Sequence, residues 1–305
     1  MTILISMYFI TRSRRNPVEK KIGLIVEGGG MRGAYTAGVL DAFDDHHLFF
    51  PYIVAVSAGA NTVCSYLSKQ KERNNRIYTE WITDKRFIHV NNLFKEGCYF
   101  GMQFLFEELP LNLDPFDFET FKKAKNIFKV GTTHCKTGKA VYFEPLRCEK
   151  QLDTNHLLQA SSSLPLIAKP VLINGDYYLD GGIVDAIPIE QSIKDGNTHH
   201  VIVLTRNASY RKKPSTSMSR LAKLGLKQYP EIAEALRVRH LRYNATLDKL
   251  ERLEKEGKVF VFRPQAPLKV DRYEKNPVKL KALFKQGYDE TVSNLSQYTK
   301  WLDSL

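Results

Sequence analysis

A short, mostly apolar run, Ile22-Gly23-Leu24-Ile25-Val26, leads straight into Glu27-Gly28-Gly29-Gly30-Met31-Arg32-Gly33. A helix start of small residues, Ala34-Tyr35-Thr36-Ala37-Gly38, follows. No other stretch of the chain limits the fold so strongly. A run of this kind reads as a strand buried on both faces, and such strands belong to parallel sheets covered by helices. The glycines leave several backbone N–H groups uncovered at a helix N-terminus, where the helix dipole adds partial positive charge. An anion site at the carboxyl end of the first strand is therefore expected in an open α/β sheet.

The rest of the chain continues the alternation. Strands are expected at 52–56, 127–132, 140–143, 171–173, 177–179 and 200–205. Helices are expected around 34–43, 58–69, 76–82, 116–124 and 189–193. The chain has 305 residues, 43% of them hydrophobic and 26% charged, which suits one large buried core. It has no run near the roughly 18 apolar residues that span a bilayer. Residues 1–20 carry arginines after, not before, their apolar stretch, which is the wrong order for a secretory signal. They are read as a loosely held N-terminal segment or edge strand of a cytoplasmic chain. Cys64, Cys98, Cys135 and Cys148 show neither CxxC pairing nor zinc-finger spacing, so reduced thiols and no metal are expected.

Two readings compete for the glycine loop. Gly28, Gly30 and Gly33 satisfy GxGxxG, but a dinucleotide site also needs an acidic residue closing the second strand. Here the strand at 52–56 runs into Ser57-Ala58-Gly59-Ala60, and no Gly-Lys-Ser/Thr closes a phosphate loop. No cofactor is expected. The anion is then a bound phosphate or an oxyanion formed during a reaction.

Ser57 supplies the reason to consider a reaction. A serine nucleophile on a tight strand-to-helix turn needs small neighbours, and Ala55, Ala58, Gly59 and Ala60 meet that need, although Ala55 stands where GxSxG has glycine. A plain helix cap is the competing reading. A proton acceptor is offered by Val171–Gly182: Asn174-Gly175 marks a tight hairpin, which sets Asp180 at the end of the returning strand. Asp180 could equally cap a turn. A histidine acceptor, His199, His200 or His240, would instead give a Ser-Asp-His triad.

Taken together, GGGMRG at 28–33, VSAGA at 56–60 and DGGIVDAIP at 180–188 resemble the motifs of the patatin-like phospholipases. The segment Ala160–Pro165 is similar to one that precedes the aspartate in that family. The resemblance covers residues 21 to about 205. It implies a three-layer α/β fold with a central, mostly parallel sheet. It also implies Ser57 as nucleophile, Asp180 as its base, and Gly28, Gly29 and Gly30 amides as oxyanion donors, with Arg32 holding the loop. The implied substrate is a phospholipid or related lipid ester. A catalytically silent lipid-binding or scaffold protein with the same fold is the alternative.

The last hundred residues fall outside the resemblance. The net charge is +12, and residues 206–305 carry 22 Lys+Arg against 11 Asp+Glu, so nearly all the excess lies there. Residues 206–305 are expected to form a basic, mainly helical region packed on a catalytic domain at 21–205. Helices are expected near 229–256 and 278–301, with a strand at 259–262. Arg237, Arg239 and Arg242, on the faces left over from packing, are expected to approach anionic headgroups, at about 1 kcal/mol each. The region thus suggests peripheral membrane contact. No nucleic-acid motif accompanies the charge, so no nucleic-acid partner is expected.

Overall fold

The computed structural model describes residues 21–165, 167–215, 220 and 225–305. The expected N-terminal segment 1–20 lies outside them. The chain opens with β1 (Ile22–Val26), α1 (Gly33–Asp45), β2 (Tyr52–Val56) and α2 (Ala58–Leu67), followed by α3 (Arg73–Thr79), α4 (Val90–Lys95) and α5 (Phe118–Lys122). Next come β3 (Ile127–His134), β4 (Ala140–Phe143), α6 (Gln151–Ser162), β5 (Val171–Ile173), β6 (Asp176–Asp180), α7 (Ile189–Lys194) and β7 (His199–Val203). The C-terminal region contributes α8 (Pro230–Lys255), β8 (Val259–Phe262) and α9 (Pro277–Asp303).

The strands form one sheet along the path β5-β6-β3-β2-β1-β7-β8, with β4 also paired to β3. β3, β2, β1, β7 and β8 are parallel. The hairpin β5–β6 and β4 run antiparallel. Asn174 and Gly175 both have positive φ, as the expected two-residue turn requires.

The register explains how distant residues meet. Gly131 of β3 pairs with both Val56 and Tyr142, and Thr132 pairs with both Val141 and Asp180. A residue has two edges, and β4 holds one of them throughout. β2 and β6 therefore share the other, end to end: β2 stops at Val56 opposite Gly131, and β6 arrives from the opposite direction at Asp180 opposite Thr132. Ser57 and Asp180 are brought together by this abutment.

Alternation along the strands splits the core. Leu24, Val26, Ile53, Ala55, Val201 and Val203 face α1, α2 and α9. Ile25, Val54 and Ile202 face Tyr243, Leu247, Leu250 and Leu253 of α8. Burying each such side chain contributes about 1.5–3 kcal/mol, so removing α8 would bare one face of the sheet. Helices α1 and α9 cross closely enough that a Cβ on Gly38 would lie 2.0 Å from the Phe284 carbonyl oxygen, and one on Gly287 would lie 2.1 Å from that of Tyr35.

One expectation fails here. Arg237 is exposed and paired with Glu234, but Arg239 turns inward and its Nε donates to the Gly182 carbonyl at 2.6 Å. The sequence places both on one helix; the hairpin-end carbonyl at Gly182 is what captures the second.

Candidate active site

Ser57 sits between β2 and α2 with φ 56° and ψ −131°. A non-glycine residue held there costs on the order of 1–3 kcal/mol and persists when its surroundings over-determine it. They do so here. The Ser57 N–H donates to Ser161 Oγ at 2.8 Å, and Ser161 in turn donates to the Gly131 carbonyl at 2.7 Å. Ser161 thus plugs the notch left where β2 ends beside β3. A Cβ on Gly59 would lie 2.6 Å from the Glu27 carbonyl oxygen, and one on Gly28 would lie 2.9 Å from Ser57 Cβ. Only glycines let the loop, the turn and α2 approach so closely. The methyl of Ala55 is fully buried in the core and leaves the turn intact.

Asp180 is buried at the end of β6. Ser57 Oγ donates to its Oδ2 at 2.7 Å, and the Gly182 N–H donates to its Oδ1 at 2.7 Å. Burial pushes its carboxyl above the usual range. The Ser57 hydrogen bond, Arg239, the Gly182 amide and Arg272 hold it back in part. His199 and His200 pair with Ile22 and Gly23 at the start of β1, whereas Ser57 follows the other end of the sheet. His200 instead meets Ser192 Oγ at 3.0 Å, and burial pushes it down to about 4. His240 makes no hydrogen bond to Ser57 or Asp180.

Gly28, Gly29 and Gly30 lie beside Ser57, and among the described residues their amides donate to no protein acceptor. The loop is braced by Arg272, whose carbonyl accepts from the Met31 N–H at 3.2 Å. The side chain of Arg32, expected to hold the loop, makes no hydrogen bond among the described residues. It is buried with Nε unpartnered. Glu27 fixes the loop's start: Oε2 accepts from the Thr205 N–H at 2.7 Å, and Oε1 accepts from the Tyr243 hydroxyl at 2.6 Å.

Two hollows meet at Ser57. One is a cavity of about 150 Å³ walled mainly by apolar side chains, among them Phe87, Phe100, Phe106, Leu109 and Leu158. The other, of about 40 Å³, is lined by Glu27, Asp180 and the cations Arg32, Lys212, Arg239 and Arg272. Among the described residues, no group of three or more His, Cys, Asp or Glu side chains is placed to hold a metal ion. No described helix is long and apolar enough to cross a membrane.

Residues 24–193 match the family model described as Patatin-like phospholipase, and that span is more than half of the chain. The chain belongs to the patatin-like phospholipase family. Beyond the patatin-like region, residues 229–303 match a second model, described as a domain of unknown function (DUF6363). The uncharacterized protein YjjU of Escherichia coli (strain K12) is 29% identical over 193 residues, covering 61% of this chain and 52% of that protein. The probable lipid hydrolase 463L of Invertebrate iridescent virus 6 is 24% identical over 196 residues, covering 57% and 64%. Lysophospholipase NTE1 of Meyerozyma guilliermondii is 24% identical over 200 residues, covering 60% and 12%. The patatin-like chain thus spans less than two thirds of the length of these relatives.

The motif pattern marks Ser57, Asp180 and the glycine loop. It does not mark Glu27, Lys212 or Arg272, and it marks Ser161 only as part of the segment Ala160–Pro165, with no role attached. For Ser161, the run of three serines at 161–163 was the available signal. For Lys212 and Arg272 the signal was no more than the basic excess of the last third.

Proposed function

We propose that this protein is a serine acyl-ester hydrolase of phospholipids or related lipid esters. The observation that carries the reading is the direct 2.7 Å contact from Ser57 Oγ to Asp180 Oδ2, within reach of unpartnered glycine amides. Ser57 Oγ attacks the ester carbonyl carbon while Asp180 takes its proton. The amides of Gly28, Gly29 and Gly30 receive the developing oxyanion. Collapse expels the alcohol, which regains the proton from Asp180 and leaves the acyl group on Ser57. Water then attacks, again giving its proton to Asp180, and the fatty acid leaves as Ser57 Oγ recovers a proton.

The environment suits each role. A base works best with its pKa near the operating pH, and burial moves Asp180 upward in that direction. The strained Ser57 turn keeps Oγ pointed at the reacting carbon. The apolar cavity accommodates an acyl chain. The names of two relatives, a probable lipid hydrolase and a lysophospholipase, support the same substrate class. Peripheral contact with an anionic bilayer through residues 206–305 belongs to this reading.

A serine-directed fluorophosphonate probe tests it, followed by a panel of lipid esters. Adduct formation and hydrolysis are expected in the native chain, and both should vanish in Ser57→Ala. A folded native protein that takes up no probe and cleaves no ester would favour the silent scaffold.

A further inference from the structure

The smaller hollow beside Ser57 is overloaded with positive charge. Arg32, Lys212, Arg239 and Arg272 line it against two carboxylates, Glu27 and Asp180. Those carboxylates are engaged elsewhere: Glu27 by Thr205 and Tyr243, and Asp180 by Ser57 and Gly182. Among the described residues, none of the four cations has a carboxylate within ion-pair distance. Arg32 is 6% exposed, and its Nε has no partner. A buried donor of this kind is costly to leave unmet. Burial, then the charge of Arg206, pushes Arg32 down to about 10. Burial, then Arg239 and Arg272, pushes Lys212 down to about 7. The cluster repels itself, and an anion between the side chains would relieve it.

We propose that this chamber binds the phosphate of the lipid ester substrate, on the leaving-group side of Ser57. The inference rests on the reading of Ser57 as nucleophile. Gly30, Ser57, Leu164 and Arg272 wall both hollows, so an ester lying across Ser57 with its acyl chain in the apolar cavity sends its alcohol portion into the chamber. In a glycerophosphate ester the phosphate follows the scissile oxygen by two or three carbons, a short reach. The chamber's 40 Å³ is roughly three times the ~10–15 Å³ that one water needs. That space suits a compact phosphate monoester better than a bulky choline head. Guanidinium groups suit the oxygens of a phosphate, and Lys212 adds a point charge.

The test compares kcat/KM for lysophosphatidic acid, lysophosphatidylcholine and monoacylglycerol of one acyl length, each as monomers. The wild-type chain is expected to prefer lysophosphatidic acid over monoacylglycerol by tenfold or more, with lysophosphatidylcholine between them. Lys212→Met and Arg272→Gln should each shrink that ratio at least tenfold, mostly through KM, and Arg272→Lys should restore much of it. Thermal melts confirm that the variants fold. An unchanged ratio in both folded variants, or no phosphate preference in the wild type while Ser57-dependent cleavage persists, overturns the chamber and leaves the hydrolase reading standing. Inorganic phosphate and glycerol 3-phosphate, titrated as inhibitors of monoacylglycerol cleavage, separate the sources. Inhibition by free phosphate without preference for phosphate-bearing esters also overturns the headgroup assignment. If no ester is cleaved in a Ser57-dependent way, the hydrolase reading falls, and the proposal built on it falls too.

Discussion

The two hollows at Ser57 are made of opposite chemistry and come from different parts of the chain. Every wall of the apolar cavity except Arg272 lies within residues 24–193, the span that matches the patatin-like family. The chamber draws Lys212, Arg239, Tyr243 and Arg272 from beyond that span. Of these, Arg239, Tyr243 and Arg272 fall in the second matched region, 229–303. The labour is divided: the family region holds the proposed reacting groups and an apolar recess, and the C-terminal region supplies three of the four cations beside them. β8 extends the common sheet and α8, which carries Arg239 and Tyr243, covers its second face, so part of that charge stands on an element packed against the core.

The comparison breaks most sharply at the residue both hollows depend on. Asp180→Asn removes the proposed base while keeping its shape, and ester turnover should fall roughly 10²- to 10⁴-fold on neutral and phosphate-bearing substrates alike. Stability should move the other way. The folded carboxyl lies above its ordinary value because burial penalises its charge, so between the ordinary and raised values the folded state binds more protons and stability falls as pH rises. At neutral pH the neutral amide escapes that penalty, and Tm is expected to rise. Full activity in Asp180→Asn, with loss on substitution of His240, would remove the dyad reading.

The sequence marks the proposed reacting groups better than their surroundings, for physical reasons. The glycine loop, the Ser57 turn and the Asn174-Gly175 hairpin are local devices, and each needs particular small residues at fixed offsets. The long helices near 229–256 and 278–301 are legible from period alone. Helix α6 is not, because Thr154, Asn155 and Ser161 are buried on it and blur the apolar stripe. Ser161 is tolerated there because the notch between β2 and β3 offers it both a donor and an acceptor. The end-to-end meeting of β2 and β6 on β3 is likewise invisible, since register across a sheet leaves no local trace. Arg239 misled for a related reason: charge normally seeks water, and only the folded chamber shows where this side chain was drawn in.

Lys212 offers a gentler way to sharpen the contrast, through pH. It faces Arg239 and Tyr243 of α8, Arg272 after β8, Arg32 and Glu27 of the glycine loop, and Tyr210. Burial and then the neighbouring arginines set it at about 7. As pH rises through 7 it gives up its proton and the chamber loses one of four cations. Measured against Lys212→Met, which meets the same second ionisation of the phosphate monoester at about pH 6, KM for lysophosphatidic acid should therefore rise about five- to tenfold between pH 6 and 8.5, and KM for monoacylglycerol should not. Taking the ratio of the two substrates cancels the separate titration of Asp180. A flat ratio would mean that Lys212 keeps its proton or does not face the phosphate.

The smallest effect probes the apolar side. Asn155 lines the cavity with its Nδ2 buried and, among the described residues, unpartnered, whereas the other amides of that wall, Asn61 and Asn74, donate to Ser162 Oγ and the Thr62 carbonyl. Leu has nearly the same shape and no donor to strand, so Asn155→Leu should stabilise the fold by about 1 kcal/mol, visible as a higher Tm. If the cavity does no more than bury an acyl chain, kcat/KM for long-chain esters should stay within a few fold of the native value. A tenfold fall in kcat with no loss of stability would mean that the amide meets the ester itself, and the division between an apolar hollow and a polar one would have to be redrawn at Asn155.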